Sequence, residues 1–287
     1  MKIKNLFEEG KTVFSLEVFP PKRNHPIETI FNTLDQLKDL GADFISVTYG
    51  ASGSLADNST CEIASAIKHK YGIVSAAHLT CVNSTREEVK TVLERLKEND
   101  IDNVLALRGD LVPDVAPKDD FKHASDLIEF IKEEGYDFGI SGACYPEGHV
   151  DSPDSMTDIL NLKRKVDAGA EHLISQLFFD NRFFYEFIEK VRIAGITVPV
   201  EAGIMPVVNK KQIERMVSLC GASLPQKFTK MMSKYENRPE AMRDAGIAYA
   251  IDQIVDLVSE GVDGIHLYTM NNPYIAKRIS DGIKNLF

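Results

Sequence analysis

The fold is decided by a pattern that is clearest in residues 155–178, SMTDILNLKRKVDAGAEHLISQLF. The first half has apolar residues at helical spacing, and the second half is a short apolar run. Between the two halves stands Gly169, followed by Ala170 and Glu171. A glycine just after the last helical turn ends the helix and leads the chain into the next strand. The stretch therefore predicts one amphipathic helix followed by one buried strand.

The same helix, glycine and strand pattern recurs along the chain. It is found at Gly41, Gly135 and Gly261, each followed by a small or apolar residue and an acid, and in weaker form at Gly72 and Gly195. Short apolar runs predict eight strands, at residues 13–19, 44–48, 74–79, 103–107, 138–143, 172–178, 198–204 and 264–268. Amphipathic stretches predict helices between them, at residues 27–40, 86–97, 124–134, 155–168 and 183–194.

Repeating strand–helix units are typical of a parallel sheet with crossover helices. No stretch rich in glycine, serine and proline divides the chain, so we expect residues 1–287 to form one domain. Eight units in one domain favour an α/β fold of the closed (β/α)8 type, a TIM barrel, over an open doubly wound sheet. The interval between residues 204 and 264 is long enough for an extra helix or two before the eighth strand.

Composition excludes several classes of protein. The 287 residues contain 33 Lys and Arg against 43 Asp and Glu, a net charge of -10, which is the wrong sign for nucleic-acid binding. The N-terminus lacks an apolar segment and no window is apolar enough to span a membrane, so we expect a cytoplasmic protein. The four cysteines have neither C-x-x-C nor zinc-ligand spacing, which predicts reduced, mostly buried thiols and no metal site. Motifs for a Rossmann site, a Walker A loop, a serine hydrolase and a zinc protease are all absent.

In a (β/α)8 barrel the chemistry occurs at the C-terminal ends of the strands, and polar residues are dense there in this sequence. The strand ends carry Glu17, Thr48, His78, Arg108-Gly109-Asp110, Tyr145 to His149, Gln176 and His266 to Thr269. These residues predict a ligand site with an acid, an aspartate, an amide and an aromatic ring, but they do not define a reaction.

Each of these residues has an alternative structural explanation. Glu17 lies in an otherwise apolar strand, where its carboxyl group is either an acid catalyst with a raised pKa or the partner of a cation such as Arg108. His78 is equally compatible with a satisfied core residue and a ligand contact. Gln176 needs hydrogen-bond partners within the protein or on a ligand, and Tyr145 is either a core residue or a surface on which a planar cofactor stacks. The run at residues 161–165, which contains three basic residues, is either a solvated helix face or a site for a phosphate or a substrate carboxylate.

At these same positions the chain resembles the methylenetetrahydrofolate reductase family over essentially its whole length. The matching segments, in chain order, are SLEVFPPK (15–22), FISVTYGA (44–51), AHLTC (77–81), ALRGD (106–110), YPEGH (145–149), NLKRKVDAGA (161–170), QLFFD (176–180), GIMPV (203–207) and HLYTMN (266–271). The resemblance implies a FAD-containing barrel in which NADH or NADPH reduces the flavin, which then reduces 5,10-methylenetetrahydrofolate to 5-methyltetrahydrofolate.

The resemblance also implies roles for particular residues. Glu17 would be the general acid that protonates N10 of the folate, and Asp110 would lie near flavin and folate and stabilise the cationic iminium. Gln176 would hydrogen-bond the pterin, and Gln212 and Met216 would contact the substrate or the nicotinamide. The FAD-binding positions, besides Asp110, would be Thr48, His78, Arg108, Gly109, Ala143, Tyr145, His149, Asp158, Asn161 and Lys165.

Two departures from the family pattern stand near this site. Met216 occupies a position where many members have Phe, and Asn272-Pro273 follows HLYTMN where an Arg is common. Because of Met216, the sequence does not decide between NADH and NADPH. Because of Asn272-Pro273, it does not decide whether one charged contact with the substrate is made. The catalytic assignments are unchanged by either departure.

Other functions remain compatible with a barrel of this kind. One is a different flavin-dependent oxidoreductase, similar to proline dehydrogenase, and another is a non-redox pterin-binding methyltransferase barrel, which would be colourless. A third is a barrel that receives its electrons from a redox partner subunit. The family resemblance also implies a homo-oligomer.

Overall fold

Eight parallel strands close into a barrel. The computed structural model describes residues 1–8, 10–22, 24–49, 58–111 and 118–287. Each strand pairs with the next along the chain, and the last pairs with the first. The strands are β1 (Val13–Val18), β2 (Phe44–Val47), β3 (Val74–Thr80), β4 (Asn103–Leu107), β5 (Gly139–Cys144), β6 (His172–Ser175), β7 (Val200–Ile204) and β8 (Gly264–Tyr268). The predicted (β/α)8 barrel is confirmed; residues 50 and 51 of the segment FISVTYGA lie outside the described residues.

Helices alternate with the strands in the described part of the chain. They are α1 (Glu28–Leu37), α2 (Ser59–His69), α3 (Arg86–Glu98), α4 (Ala124–Glu133), α5 (Ser155–Asp167), α6 (Asn181–Ile193), α7 (Lys210–Cys220), α8 (Gln226–Tyr235), α9 (Pro239–Ser259) and α10 (Pro273–Ile283). The long interval before β8 holds α7, α8 and α9, which confirms the prediction of extra helices there.

The helix-ending glycines adopt the backbone conformation on which the prediction depended. Gly41 has a φ of 80° and Gly169 a φ of 124°, in the left-handed region that residues with a Cβ rarely occupy. Each stands between the end of a helix and the start of the next strand, so the repeated glycine is the physical signal of the repeated unit.

Several strands end or begin a few residues away from the predicted positions, because side-chain hydrogen bonds or a proline interrupt the hydrogen bonding between strands. β1 stops at Val18, since the backbone of Phe19 donates to and accepts from the side chain of Asn271. β6 stops at Ser175, where the backbone N–H of Leu177 donates to Gln176 Oε1. β7 begins at Val200, directly after Pro199, because proline has no N–H for the ladder.

Side chains of the barrel strands alternate between two environments. Those that point outward, such as Leu16, Val18 and Ile45, are buried in a large apolar cluster between the sheet and the helices. The interior of the barrel holds a much smaller apolar cluster that includes Phe44 and Leu105, and many of its other residues are polar. Polar side chains that point inward from the strands therefore lie at the centre of the barrel.

The N-terminal segment covers the end of the barrel opposite the C-terminal ends of the strands. A short 3-10 helix (Ile3–Leu6) lies there, and the backbone N–H of Ile3 donates to Asn103 Oδ1 at 2.8 Å. The ring of Phe7 packs against the ring of His172 with 5.0 Å between centroids. This end of the barrel is therefore filled by the chain itself.

The four cysteines are free thiols and three of them are buried, as the sequence predicted. Over the residues that the structure describes, no helix has both the length and the apolar character that crossing a membrane requires.

We expect Gly246→Ala to destabilise the protein, because a Cβ at Gly246 of α9 would lie 1.6 Å from the carbonyl oxygen of Val207. Overpacking of this kind costs about 1–3 kcal/mol and more where backbone must move. The measurement is the free energy of unfolding from urea titration. Gly282→Ala in α10 is the matched control, because its Cβ would meet only the end of the flexible Ile251 side chain; equal effects of the two variants would contradict the prediction.

Candidate active site

A large cavity opens at the C-terminal ends of the strands. Its volume is about 1080 Å³, slightly above the range of about 300–1,000 Å³ found for small-molecule sites. We call it the mouth cavity. Its lining includes the predicted site residues Glu17, Thr48, His78, Asp110, Ala143, Tyr145, Gln176 and Met216. β1 to β6 and the segments that follow them supply all of these except Met216, which comes from α7.

A second cavity of about 180 Å³ adjoins the first, and we call it the side cavity. Leu107, Ala143 and Tyr145 line both cavities, so the two meet at the ends of β4 and β5. The side cavity is lined by five more of the predicted cofactor residues, Arg108, His149, Asp158, Asn161 and Lys165. The two cavities therefore share part of their walls.

Glu17 lies at the base of the mouth cavity with its side chain 18% exposed. Its Oε2 is 3.5 Å from Nε2 of His266 and 3.7 Å from Nε2 of His78. The alternative partner Arg108 is elsewhere, because its guanidinium donates to Asp151 Oδ2 at 2.9 Å. The sequence-based alternative of a Glu17–Arg108 ion pair is therefore wrong.

Burial governs the ionisation of the groups around Glu17. It lowers the pKa of His78 to about 4, although the Glu17 charge opposes the shift, so the imidazole is neutral at neutral pH. Burial raises the pKa of Tyr268 well above its ordinary value, and the charge of Glu17 adds to the shift. The Tyr268 hydroxyl donates to the carbonyl oxygen of Ser175 at 2.7 Å. Glu17 thus faces a neutral imidazole and a neutral phenol.

Asp110 and Gln176 present polar groups to the mouth cavity from the ends of β4 and β6, which are separated by β5. Asp110 is exposed, and within the described part of the chain its carboxylate makes no ion pair. Gln176 is half-buried; its Oε1 accepts from the Leu177 backbone, and no hydrogen bond from its amide nitrogen to another described residue is formed. Both residues retain hydrogen-bonding capacity for a ligand.

The side cavity offers cationic donors. Lys165 is packed against Gly142, where a Cβ would lie 2.8 Å from the lysine side chain, and its Nζ donates to the carbonyl oxygen of Ala143. Burial lowers the pKa of Lys165. Since Lys165 makes no ion pair among the described residues, its remaining donors are available to an anion. Arg108 and Arg164 line the same cavity, whereas Lys163 pairs with Asp167.

Gly109 and Gln212 are the two predicted site residues that line neither cavity. Gly109 lies between Arg108 and Asp110 with a φ of 85°, and a Cβ there would lie 2.9 Å from Cβ of Thr80. Gln212 lies in the first turn of α7, one turn before Met216, which does line the mouth cavity.

Asn272 has a structural role in this chain. Its side-chain oxygen accepts from the backbone N–H of Ile275 at 3.2 Å, and Pro273 occupies the first turn, so the pair Asn272-Pro273 begins α10. The departure from the family pattern at this position therefore belongs to the start of the last helix.

Sequence reasoning assigned no role to some residues of the cavity wall, among them Tyr268 and Met270. Met270 and Asn271 both have a φ of 52°, a left-handed conformation that the bonds between Asn271 and Phe19 hold in place. The polar segment at the end of β8 was the sequence feature that could have identified them. Only the structure shows that this segment bonds to Phe19 and lines the mouth cavity.

These features define a class: a (β/α)8 barrel with a partly buried carboxyl group in a large cavity at the catalytic end, joined to a narrower cationic cavity. Comparison with known proteins narrows the class. The family model described as methylenetetrahydrofolate reductase matches residues 2–284. The chain belongs to the methylenetetrahydrofolate reductase family of oxidoreductases.

Curated relatives agree with this assignment. The chain is 37% identical to 5,10-methylenetetrahydrofolate reductase of Pectobacterium carotovorum, covering 94% of this chain and 90% of that protein. It is 38% identical to the protein of that name from Escherichia coli, covering 92% and 88%. It is also 38% identical to methylenetetrahydrofolate reductase (NADH) 1 of Arabidopsis thaliana, covering 94% of this chain but only 48% of the plant protein.

Solved structures share the fold at low sequence identity. An uncharacterized protein from Clostridium thermocellum that binds two copies of 5-methyl-5,6,7,8-tetrahydrofolic acid has a TM-score of 0.65 at 14% identity, covering 97% of this chain and 98% of that one. A dihydropteroate synthase from Coxiella burnetii, in complex with pteroic acid, has a TM-score of 0.53 at 13% identity, covering 97% and 93%.

We expect the neutral, buried His78 to make the protein sensitive to acid. Its pKa is lower in the folded protein, about 4, than in the unfolded chain, about 6.5, so the unfolded chain binds the extra proton and stability falls as pH decreases through this window. Between pH 7 and pH 5 the wild type should lose about 2 kcal/mol of unfolding free energy more than His78→Gln does. Urea titrations at both pH values measure the difference; the same loss in both proteins would contradict the prediction.

Proposed function

We propose that the protein reduces 5,10-methylenetetrahydrofolate to 5-methyltetrahydrofolate with electrons that NADH or NADPH delivers through bound FAD. The observation that carries the proposal is Glu17, a carboxyl group in the wall of a large cavity within 3.7 Å of His78 and His266, in a chain of the methylenetetrahydrofolate reductase family. A carboxyl group in such surroundings suits acid catalysis, because no Lys or Arg among the described residues forms an ion pair that would hold it in the ionised form.

The two joined cavities fit an elongated dinucleotide such as FAD. The side cavity supplies the cationic donors of Lys165 and the two arginines for a pyrophosphate. Tyr145, at the junction, presents an aromatic ring that is held edge-on against His149 at 4.6 Å between centroids. Gly142 leaves the space that Lys165 fills beside this junction. When bound, the flavin would supply the hydride chemistry.

The residues of the mouth cavity would then orient the folate and supply its proton. Glu17 would donate its proton to N10 as the bond between N10 and the methylene carbon breaks, which leaves a cationic iminium at N5. The charge of Asp110 would stabilise that cation, and the free amide of Gln176 would hydrogen-bond the pterin. The wide cavity leaves room for nicotinamide and folate to use the same place in turn, with Met216 in its wall.

The function is tested by anaerobic visible spectroscopy of the FAD-reconstituted protein. NADH or NADPH should bleach the flavin band, and 5,10-methylenetetrahydrofolate should restore it. Glu17→Gln should slow the restoring step about 10²- to 10⁴-fold, the usual contribution of a general acid, and leave bleaching unchanged. Glu94→Gln, which makes the same change on the exposed surface of α3, is the matched control.

Other spectral outcomes identify the alternatives. A flavin that NADH bleaches but the folate does not restore would favour a different flavin-dependent oxidoreductase. Failure of both pyridine nucleotides, with reduced flavin still reacting with the folate, would show that a partner subunit supplies the electrons. A protein that binds no flavin would contradict the proposal.

We expect Lys165→Met to weaken FAD binding about tenfold or more, because a hydrogen bond to a charged group contributes about 1.5–3 kcal/mol. The measurement is the dissociation constant of FAD from quenching of flavin fluorescence. Lys163→Met is the matched control, since Lys163 is two residues away on the same helix and pairs with Asp167. Equal weakening by both variants would remove Lys165 from the cofactor site.

A further inference from the structure

A connected series of polar side chains runs through the interior of the barrel below Glu17. Ser141 Oγ is 2.9 Å from His172 Nδ1, and His172 Nε2 is 3.0 Å from Glu201 Oε2. Glu201 Oε1 accepts from Ser15 Oγ at 2.8 Å, and Ser15 Oγ is 2.6 Å from His266 Nδ1. All of these residues are at most 2% exposed. The series reaches Glu17 through the ring of His266.

Ser15 determines which nitrogen of His266 carries the proton. A hydroxyl group has one hydrogen, and the Ser15 hydroxyl donates it to Glu201 Oε1. At its contact with His266 Nδ1, Ser15 must therefore be the acceptor, so Nδ1 carries a hydrogen.

The other nitrogen of His266 faces Glu17. In a neutral imidazole with a hydrogen on Nδ1, Nε2 carries only a lone pair. His266 Nε2 has no hydrogen-bond partner among the described residues, and it lies 3.5 Å from Glu17 Oε2. A carboxylic acid at Glu17 can donate its O–H to this lone pair, whereas a carboxylate would place a negatively charged oxygen against it.

Two further ionisable groups beside Glu17, His78 and Tyr268, are not cations. His78, from β3, is neutral because burial lowers its pKa to about 4. Its Nε2, 3.7 Å from the same oxygen of Glu17, has no hydrogen-bond partner in the described residues. Tyr268, from β8, gives its hydroxyl hydrogen to Ser175 and packs edge-on against the His266 ring.

We propose that Glu201, acting through Ser15, fixes His266 in the Nδ1–H tautomer, whose bare Nε2 keeps Glu17 protonated and ready to donate to the substrate. Ser15, Glu201 and His266 are then positioning residues for the acid. The inference rests on the proposed function, in which Glu17 is that acid.

The series is closed at its lower end, so it acts on Glu17 by orientation and does not conduct protons to water. His172 is 1% exposed, and the ring of Phe7 covers it. Glu201 is fully buried. It packs so closely against Gly264 that a Cβ at that position would lie 2.7 Å from the Glu201 side chain. Glu17 therefore regains its proton from the mouth cavity after each turnover.

The tautomer is tested on the free protein by ¹⁵N NMR of labelled histidine, with the His266 signals assigned by their loss in His266→Gln. The wild type should show a protonated Nδ1 and an unprotonated Nε2 at neutral pH. Ser15→Ala removes the acceptor for Nδ1 and should abolish this pattern. A hydrogen on Nε2 in the wild type, alone or with one on Nδ1, would overturn the proposal.

Infrared difference spectra against Glu17→Gln report the protonation of Glu17 itself. The C=O band of a protonated carboxyl should be present in the wild type and reduced at least severalfold in Ser15→Ala and Glu201→Gln. Ser75→Ala is the matched control, because Ser75 is a buried serine whose hydroxyl makes no hydrogen bond among the described residues. A band that persists unchanged in both network variants would overturn the proposal.

Half-reaction kinetics separate this inference from the function on which it rests. In Ser15→Ala the folate step should slow about tenfold or more and its rate should decline from a lower pH, while reduction by NADH stays within twofold. If Glu17→Gln itself retains the folate step, the assigned role of Glu17 fails, and the spectra of the free protein still decide the tautomer independently. An unchanged pH profile in Ser15→Ala would count against the proposal.

Discussion

The pairing of β1 with β8 is the interaction on which the rest of the structure depends. It closes the sheet, and its register sets Ser15 opposite His266 and Glu17 opposite Tyr268. A shift of one residue would turn Glu17 out of the barrel, since side chains alternate across a strand. The same ladder therefore completes the fold and brings the carboxyl group to the residues that control it.

Closure has an energetic consequence for the barrel interior. Polar groups that are taken out of water cost free energy unless they are paired, and a buried charge costs more. Glu201 is fully buried, and its two oxygens meet Ser15 and His172. An apolar interior would avoid this cost, so stability alone does not explain the polar residues below Glu17, whereas the proposed orientation of His266 does.

Much of the fold and part of the site could be predicted from the sequence. The glycines that follow the helices indicate the βα unit because they need a left-handed backbone, which is a local property. Glu17 was recognisable because a carboxyl group in an apolar strand requires an explanation wherever that strand lies. The proposed partner Arg108 was wrong, because the loop after β5 brings Asp151 to it, and loop geometry is not encoded in a local pattern. The series of polar contacts from His172 to His266 could not be predicted, since four strands contribute residues to it.

The sequence by itself determined the succession of helices and strands and the strand ends that carry the polar residues. These follow from periodicity and backbone conformation, which act over a few residues. The number of eight units favoured closure into a barrel, which the pairing of β1 with β8 completes. Only the tertiary structure decided which side chains meet. It joined the two cavities at Tyr145, placed His78 and His266 on either side of Glu17, and used Asn272 to begin a helix. Such contacts depend on strand register and on side-chain direction across the whole barrel, and both are properties of the closed sheet.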